Sequence, residues 1–340
     1  MCTTFRLMAQ DSSVVVGRTM EFPHLMGAKI TVLPQGFAGA GIAPSGMGKT
    51  WTAEYGVVGI DAVGQPGWLT DGTNEKGVYA GLLYMPGFCD YTPAEGRDAS
   101  GCLSIVNTVA YLLGTCASVA EATAAMSAVT VWPWVVKGFG FAPPAHVIVH
   151  DAGGACAVIE WRAGEMVIFD NPIGVATTSP HLDWHLLSLR NYVILQPEDP
   201  DTLTLQGVQI PTLGQGSGMR GLPADGSAPS RFVRAVAYVA AMRPVPTPRS
   251  SRCLPFTCST TSTSRSARSG PTTNPRAMIT RSGRRSRTSP GFATRSAATT
   301  TRRPRSSASG RQTSLPAIRV RCRCQRAASP PWPFDEDPGH

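Results

Sequence analysis

Cys2 is the residue whose type and position best suit covalent chemistry. The small side chain after Met1 favours removal of that methionine, which would leave one residue carrying both a thiol and a free α-amine. A thiolate is a strong nucleophile that nearby positive charge stabilises, and an α-amine with an ordinary pKa of about 8 suits a general base. Cys2 is therefore a candidate N-terminal nucleophile. Taken alone, a single cysteine is a weak signal, and an incidental second-position cysteine is the simpler interpretation.

A second candidate motif, Ala43–Thr50, satisfies a relaxed form of the phosphate-loop pattern, with alanine where glycine is usual. That motif needs a strand before it and a helix after it, so that backbone N–H groups and the helix dipole meet the phosphates. The following segment, Trp51–Ile60, is interrupted by glycine and resembles a strand. We therefore interpret the match as chance and the motif as a surface loop.

Two histidine pairs have a four-residue spacing, which on a helix places both imidazoles on one face, where they can bind zinc. His146 and His150 lie in a strand pattern that would hold them apart, and His181 and His185 lie at a predicted helix start without an obvious third ligand. Four cysteines near the C-terminus also lack a companion pair at zinc-site spacing. We interpret the histidines as structural and predict neither a metal site nor a cofactor.

The net charge of +9 over 340 residues is unevenly divided. Residues 249–340 contain 18 arginines, no lysine and three acidic residues, a net charge of +15, whereas residues 1–248 carry a net charge of −6. Residues 249–334 are dominated by arginine, serine, threonine, proline and alanine, without an apolar period of either kind. Such a composition cannot bury enough surface to offset its ordering entropy, so we predict that this segment is disordered.

Two interpretations of the basic segment remain open. One is a tail that binds the phosphates of a nucleic acid. The other is translation in a shifted reading frame, because out-of-frame GC-rich codons yield mainly arginine, proline, serine, alanine and glycine. Arginine without lysine favours the frame shift, since selection for charge alone would use both. We predict a folded domain over residues 1–243 and a low-complexity tail over residues 244–340.

The location of the protein is predicted from weaker signals. Nine cysteines are too few and too scattered for a disulfide scaffold, and the first residues lack a basic-then-apolar start, so we expect a cytoplasmic protein. The uncharged stretch Ala99–Ala120 is long enough to span a membrane. However, its strongly apolar residues recur at helical spacing, and Ser118 with Glu121 resembles a capping box that opens a second helix. We expect helices packed on a core and no membrane contact.

The elements that must position these residues follow a layered α+β pattern. Strands are predicted over residues 13–16, 30–33, 57–60 and 77–84, with a turn-like segment at 71–77. Helices follow within 102–127, then strands over 147–150, 157–160, 166–169 and 175–178, and helices over 182–192 and 230–242. Runs of strands and runs of helices are typical of α+β proteins rather than of regular βαβ units.

Cys2 is accompanied by a series of ordered blocks: Met1–Phe5, Gly17–Phe22, Asp71–Gly77, Ala80–Gly87, Asp170–Pro180, Leu182–Leu186, Gly214–Gly218 and Pro229–Arg234. Together they closely resemble the choloylglycine hydrolase family, which includes the bile salt hydrolases and penicillin V acylases. The resemblance spans about residues 1–243 and ends where the composition changes. It implies the four-layer αββα sandwich of N-terminal nucleophile hydrolases. It also implies hydrolysis of a linear, non-peptide amide without a metal or organic cofactor.

The resemblance assigns roles to four residues. Cys2 would be the nucleophile and, through its α-amine, the base, while Arg18 would lie beside the sulfur and favour the thiolate. Glu21 stands where the family more often has aspartate, which would hold the α-amine. Arg231 matches a late arginine that orders the site electrostatically.

Two departures from the family pattern concern the oxyanion site, where losing one fixed donor can cost about a hundredfold in rate. Thr178 replaces the expected asparagine, and its hydroxyl is shorter. In the Gly-Leu-Asn-Phe block of bile salt hydrolases this chain reads Leu82-Leu83-Tyr84, and the phenol of Tyr84 is a donor, as in some penicillin V acylases. The substitution favours an enzyme other than a dedicated bile salt hydrolase.

The resemblance also implies a small-molecule amide with a hydrophobic acyl part. Five apolar residues in family loop regions are predicted to line the acyl pocket, although ordinary core packing would explain each equally well: Met20, Phe22, Trp132, Phe139 and Phe141. We expect a homotetramer, as is usual among relatives, with no nucleic-acid partner. The alternatives are a nucleic-acid-binding protein driven by its arginine tail, and a family member impaired by its altered C-terminus.

Overall fold

The computed structural model describes residues 2–22, 27–62, 64–137, 139–244 and 246. Its strands are β1 Cys2–Met8, β2 Val14–Met20, β3 Ile30–Leu33, β4 Ala38–Ala43, β5 Gly46–Thr52, β6 Val57–Asp61, β7 Leu69–Asn74, β8 Tyr79–Tyr84, β9 Cys102–Ser104, β10 Thr130–Trp132, β11 Ala145–His150, β12 Cys156–Arg162, β13 Glu165–Asp170, β14 Val175–Thr177, β15 Leu203–Leu205 and β16 Val208–Ile210. Its helices are α1 Ile105–Thr115, α2 Val119–Ser127, α3 Leu182–Leu189 and α4 Ala228–Ala241. Of the predicted tail, residues 244–340, all but residues 244 and 246 lie outside the described residues.

The larger sheet has seven strands in the order β13-β12-β11-β8-β7-β6-β3. Its pairs are all antiparallel, so residues directly opposite each other share a face. One row on one face runs across six strands through Val158, Ile148, Gly81, Asp71, Ile60 and Ile30. The opposite face carries the residues that pack with α1 and α2, such as Leu69, Val147 and Ile159.

The smaller sheet has the order β14-β1-β2 and is also antiparallel. It packs on the row-bearing face of the larger sheet, because Cys2 shares a buried apolar cluster with Leu83, Ile148 and Val158. Its other side contacts α4, whose Phe232 is fully buried in the same cluster. Helices therefore cover both outer faces of two stacked sheets, which confirms the predicted α+β class and four-layer αββα sandwich.

The helices follow the sequence signals closely. The uncharged segment divides into α1 and α2, and the Ser118 hydroxyl accepts a hydrogen bond from the N–H of Glu121 at 3.1 Å, as a capping box requires. Val109, Leu112 and Leu113 of α1 are fully buried against the larger sheet. In the part of the chain that the structure describes, no helix has the length and apolar character needed to cross a membrane.

Two segments interpreted as loops are strands. The phosphate-loop match Ala43–Thr50 forms the turn and second strand of the β4–β5 hairpin, so the surface-loop interpretation is wrong. The segment read as a turn from Asp71 is β7 as far as Asn74, and only the next residues turn. Within these strands Gly48 and Gly72 allow close packing, because an added Cβ would lie 2.3 Å from the Cys102 carbonyl oxygen and 2.7 Å from the Val58 carbonyl oxygen, respectively.

Candidate active site

Cys2 begins the central strand of the smaller sheet and faces the larger one. Its register partner is Met20 on β2, and only 5% of the residue is exposed. Met20 packs against the same cluster as Cys2, together with Leu83 of β8. The thiol is therefore held between the two sheets at the end of a strand.

Arg18 brings a fixed positive charge to this thiol. Its guanidinium Nη2 lies 3.7 Å from Cys2 Sγ and also donates to the carbonyl of Leu82. Nη1 donates to the carbonyl of Thr70 at 2.8 Å and pairs with Asp71 Oδ2 at 3.1 Å. Because Arg18 belongs to β2 and these oxygens belong to β7 and β8, its side chain joins the two sheets.

The ionisation of Cys2 reflects two opposing influences. Burial raises the pKa of the thiol, but the charge and hydrogen bond of Arg18 and a backbone hydrogen bond from Glu21 lower it. The net effect is a Cys2 pKa below its ordinary value, which favours the thiolate.

The other cysteines of the described chain have the opposite environment. Burial raises the pKa of Cys89 to about 11 and that of Cys156 to about 12. Burial also raises the pKa values of Cys102 and Cys116. These thiols stay protonated near neutral pH, which distinguishes Cys2 from them chemically.

Asp71 and Gly81 form the surroundings of Arg18 that sequence reasoning did not identify. They are register partners on β7 and β8, and a Cβ at Gly81 would lie 3.2 Å from Arg18 Nη1 and 2.7 Å from the Tyr79 hydroxyl. The Tyr79 hydroxyl in turn lies 3.5 Å from Asp71 Oδ2. Both residues belong to quoted sequence blocks, which is the only signal that could have singled them out.

Arg231 of α4 reaches the same end of the smaller sheet from the helical side. Its Nη1 donates to the Cys2 carbonyl and to Thr3 Oγ1, and its Nη2 donates to Thr178 Oγ1 at 3.1 Å. The residue is 2% exposed. One buried guanidinium therefore links the backbone of Cys2 to Thr178.

His185 supports Thr178 from a third direction and was interpreted from the sequence only as structural. The carbonyl of Thr178 accepts a hydrogen bond from His185 Nε2 at 3.0 Å, and the imidazole stacks on Phe232 with 4.8 Å between ring centroids. Burial lowers the pKa of His185. The neutral ring thus fixes the main chain at Thr178.

Glu21 directly follows β2, next to Met20 and Phe22. Its backbone N–H donates to Cys2 Sγ, so Glu21 lies at the thiol through its main chain. The proposed contact between its carboxylate and the α-amine stays a prediction, because Met1 is outside the described residues.

Four of the predicted pocket and oxyanion residues form a connected aromatic row. The ring of Phe22 packs edge to face on Tyr84, with 5.7 Å between ring centroids, and lies 6.4 Å from the ring centroid of Phe139. Phe139 stacks on Phe141 with 6.0 Å between centroids. Strand alternation places Tyr84 on the opposite face of β8 from Leu83, so its role as an oxyanion donor stays a prediction.

Trp132 lies apart from this row. Its indole N–H donates to the carbonyl of Ile42 at 2.6 Å, and its side chain packs with Ala43, Ala94 and Cys102. The structure therefore brings Met20 to Cys2 and joins Phe22, Phe139 and Phe141, whereas Trp132 belongs to a separate cluster beside the β4–β5 hairpin.

The other histidines that the structure describes, His146, His150 and His181, are hydrogen-bonded or packed within the core. His146 Nδ1 and His181 Nδ1 lie 3.4 and 2.9 Å from the two carboxylate oxygens of Glu160. Burial raises the pKa of Glu160, but the hydrogen bond and charge of His146 and hydrogen bonds from Arg162 and the Leu182 N–H lower it to a net value of about 2. Within the ranges described, no group of three or more histidine, cysteine, aspartate or glutamate side chains is arranged to hold a metal ion.

Comparisons with known proteins place this geometry among amide hydrolases. Residues 2–252 match the linear amide C–N hydrolases of the choloylglycine hydrolase family. The bile salt hydrolase/transferase of Bifidobacterium longum subsp. longum is 30% identical over 246 residues, which is 72% of this chain and 75% of the relative.

Two solved structures share the fold. The C2A variant of the conjugated bile acid hydrolase from Clostridium perfringens superimposes with a TM-score of 0.63 and 28% identity, covering 71% of this chain and 73% of that one. The penicillin V acylase from Agrobacterium tumefaciens superimposes with a TM-score of 0.58 and 25% identity, covering 74% of this chain and 69% of that one.

Proposed function

Because this chain belongs to the choloylglycine hydrolase family of linear amide C–N hydrolases, we propose that it cleaves an amide with a hydrophobic acyl part, using Cys2 as an N-terminal nucleophile. The observation that carries the proposal is the Arg18 guanidinium 3.7 Å from Cys2 Sγ; burial raises the pKa of this thiol, but the charge and hydrogen bond of Arg18 help to bring it below its ordinary value. A fixed cation beside a buried thiol stabilises the thiolate that attack requires.

The first half-reaction transfers the acyl group to the enzyme. After Met1 is removed, the α-amine of Cys2 accepts the thiol proton, and the sulfur attacks the amide carbonyl carbon to form a C–S bond. The tetrahedral intermediate collapses as the C–N bond breaks, and the leaving amine takes the proton from the α-ammonium group. An acyl thioester on Cys2 remains.

The second half-reaction returns the enzyme to its starting state. The α-amine accepts a proton from water as the water oxygen attacks the thioester carbon. Collapse of this second intermediate breaks the C–S bond, releases the carboxylic acid and restores the Cys2 thiol. The carboxylate of Glu21 would hold the α-amine in place through both steps.

The oxyanion of each intermediate needs fixed donors. Thr178 supports this role because its hydroxyl oxygen accepts from Arg231, which leaves its own O–H hydrogen available as a donor. Arg231 contributes a buried positive charge at the same end of the strand. Tyr84 is the second proposed donor, and its phenol lies at the aromatic row formed with Phe22.

The acyl group would lie along Met20, which packs against the cluster that contains Cys2, and along the aromatic row of Phe22, Phe139 and Phe141. Phe141 is 40% exposed, so the row extends from the interior to the surface. A row open to solvent at one end suits a substrate whose amine portion departs and whose acyl portion stays bound.

The test is an assay of purified protein with penicillin V, a conjugated bile salt and a long-chain acyl-homoserine lactone. Both the chain as given and a version with a restored C-terminal frame are assayed, and mass spectrometry verifies that Cys2 is the first residue. Hydrolysis of at least one amide by either version is expected. No hydrolysis of any of the three by the frame-restored, correctly processed protein would contradict the proposal, and activity of that version alone would identify the given chain as impaired.

A further inference from the structure

The Arg18 side chain lies in a site on the larger sheet, here called the socket, that is formed by Thr70, Asp71, Gly81 and Leu82. Its side chain is 6% exposed, and that of Asp71 is 12% exposed. A buried guanidinium is costly unless opposite charge and hydrogen-bond acceptors surround it. Here the Asp71 carboxylate and the carbonyls of Thr70 and Leu82 supply them.

The position of the guanidinium depends on an absent side chain. Gly81 stands opposite Asp71 in the register, and an added Cβ would reach 3.2 Å from Arg18 Nη1. Gly81 therefore leaves the space above β8 into which the guanidinium fits. The same Cβ would meet the Tyr79 hydroxyl at 2.7 Å, so Tyr79 borders the socket on its other side.

The two terminal nitrogens of Arg18 have different tasks. Nη1 is held on β7 by Thr70 and Asp71, whereas Nη2 is the atom that approaches Cys2 Sγ. Because the guanidinium is planar and rigid, fixing Nη1 also fixes the direction of Nη2. Loss of the Asp71 contact would leave backbone carbonyls alone to set that direction.

We propose that Asp71, seated opposite Gly81, is the positioning residue that aims the Arg18 guanidinium at the Cys2 sulfur. The inference rests on the proposed function, since it matters for catalysis only if Cys2 is the nucleophile. Asp71 contacts Arg18 and the Tyr79 hydroxyl, and it acts on the sulfur through Arg18.

The positional account makes a prediction opposite to a purely electrostatic one. Asp71→Ala removes the acceptor, so the guanidinium loses its aim and the Cys2 pKa rises, by about one pH unit. Asp71→Asn keeps an oxygen acceptor but removes the negative charge, so the Cys2 pKa stays equal or falls. If Asp71 acted by its charge alone, both substitutions would lower the Cys2 pKa equally.

The experiment measures the rate of iodoacetamide alkylation of Cys2 as a function of pH in the full chain, with mass spectrometry of the peptide that contains Cys2. This readout needs no turnover, so it separates failure of the socket from failure of the proposed function. Asp61→Asn is the matched control, because Asp61 is also buried on the larger sheet but accepts from Thr31 and the Lys29 N–H. The control should leave the alkylation profile unchanged.

A second variant tests the socket from its other side. Gly81→Ala should raise the Cys2 pKa as Asp71→Ala does. Gly41→Ala serves as its control, because Gly41 lies in the β4–β5 hairpin and its added Cβ would also meet a close neighbour, Leu103 Cδ2, at 2.5 Å. Where hydrolysis is measurable, Asp71→Ala should lower kcat by about a hundredfold with little change in KM, and Asp71→Asn should restore most of it. An unchanged alkylation profile in both Asp71→Ala and Gly81→Ala, or equal lowering in the two Asp71 variants, would overturn the inference.

Discussion

Ile148 and Ile30 stand in the same row on the same face of the seven-stranded sheet, yet Ile148 is fully buried and Ile30 is 59% exposed. The neighbouring row repeats the contrast, because His150 is fully buried while Val58 and Val32 are 41% and 67% exposed. We call β8, β11 and β12 the covered half of the sheet and β3 with β6 the open half. Residue type does not separate the two halves.

The difference is the second layer. The smaller sheet and α4 lie over the covered half, and Arg18 of β2 reaches β7 and β8 at its border. Among the described residues β2 pairs only with β1, so its outer edge points towards the open half. All of the proposed chemistry lies where two layers meet, because only there can a thiol and a guanidinium be withdrawn together from water.

The largest expected effect is on the covered half. Cys2→Ser should reduce amide hydrolysis by at least about a thousandfold, because the hydroxyl lacks the lowered pKa of the thiol. Cys89→Ser and Cys102→Ala should keep the wild-type rate, since burial raises the pKa of each thiol and neither packs against the buried cluster that contains Cys2. Steady-state hydrolysis with a responsive amide checks this, and a near-normal rate for Cys2→Ser would remove Cys2 from the mechanism.

A restored reading frame should have the next largest effect. Inserting or deleting one or two nucleotides near codons 244–252 is expected to supply alternating apolar strands that pair with β2 and cover Ile30, Val32 and Val58. Arginine- and proline-rich sequence cannot do so, since proline lacks the amide donor. Soluble yield, thermal unfolding and hydrolysis should all rise over the chain as given. Equal values in the two versions would show that the given tail is genuine or dispensable.

The sequence predicted the features that depend on neighbouring residues and missed those that depend on residues far apart in the chain. Local alternation predicted β3 at its observed bounds, and the capping residues of α2 marked its start. The β4–β5 hairpin was missed because glycine there serves packing: a Cβ at Gly39 would overlap the Trp51 ring at 2.2 Å. A single sequence does not reveal which aromatic ring packs against the backbone of a glycine.

The candidate site shows the same limit. Cys2, Arg18 and Arg231 were identified by resemblance, and the structure places them together. Asp71 was missed because the stacking of the two sheets brings it to Arg18 across 53 residues of chain, and no local pattern encodes that contact. Its partner Gly81 carries no side chain to suggest a role.

A matched pair of substitutions tests the contrast between the halves directly. Ile148→Thr should lower the free energy of unfolding by about 3 kcal/mol, because it removes buried apolar contacts and introduces a buried hydroxyl. Ile30→Thr, in the same row, should change it by less than about 0.5 kcal/mol, as is usual for exposed positions. Urea unfolding of both variants gives the two values. Similar losses would show that the open half is covered in solution.

The smallest expected effect is a pH dependence confined to the covered half. Burial, assisted by the charge of Arg6 and opposed by Asp151, lowers the pKa of His150 from 6.5 to about 3. Between these values the unfolded chain binds a proton that the folded chain excludes. Stability is therefore greatest above pH 6.5 and falls as the pH decreases, by at most about 1.4 kcal/mol per pH unit for this one group.

Urea unfolding between pH 6.5 and 4.5 measures this slope in a range above the window in which Glu160, with its pKa of about 2, contributes. His150→Gln should reduce the slope by the contribution of about one proton. Cys156→Ala, which removes the sulfur 3.9 Å from His150 Nε2, should leave the slope unchanged. Val58→His places the same imidazole in the same row at the open half, where it stays solvated in both states and adds no slope. A slope that persists in His150→Gln, or that steepens in Val58→His, would mean that burial differs less between the two halves than the structure indicates.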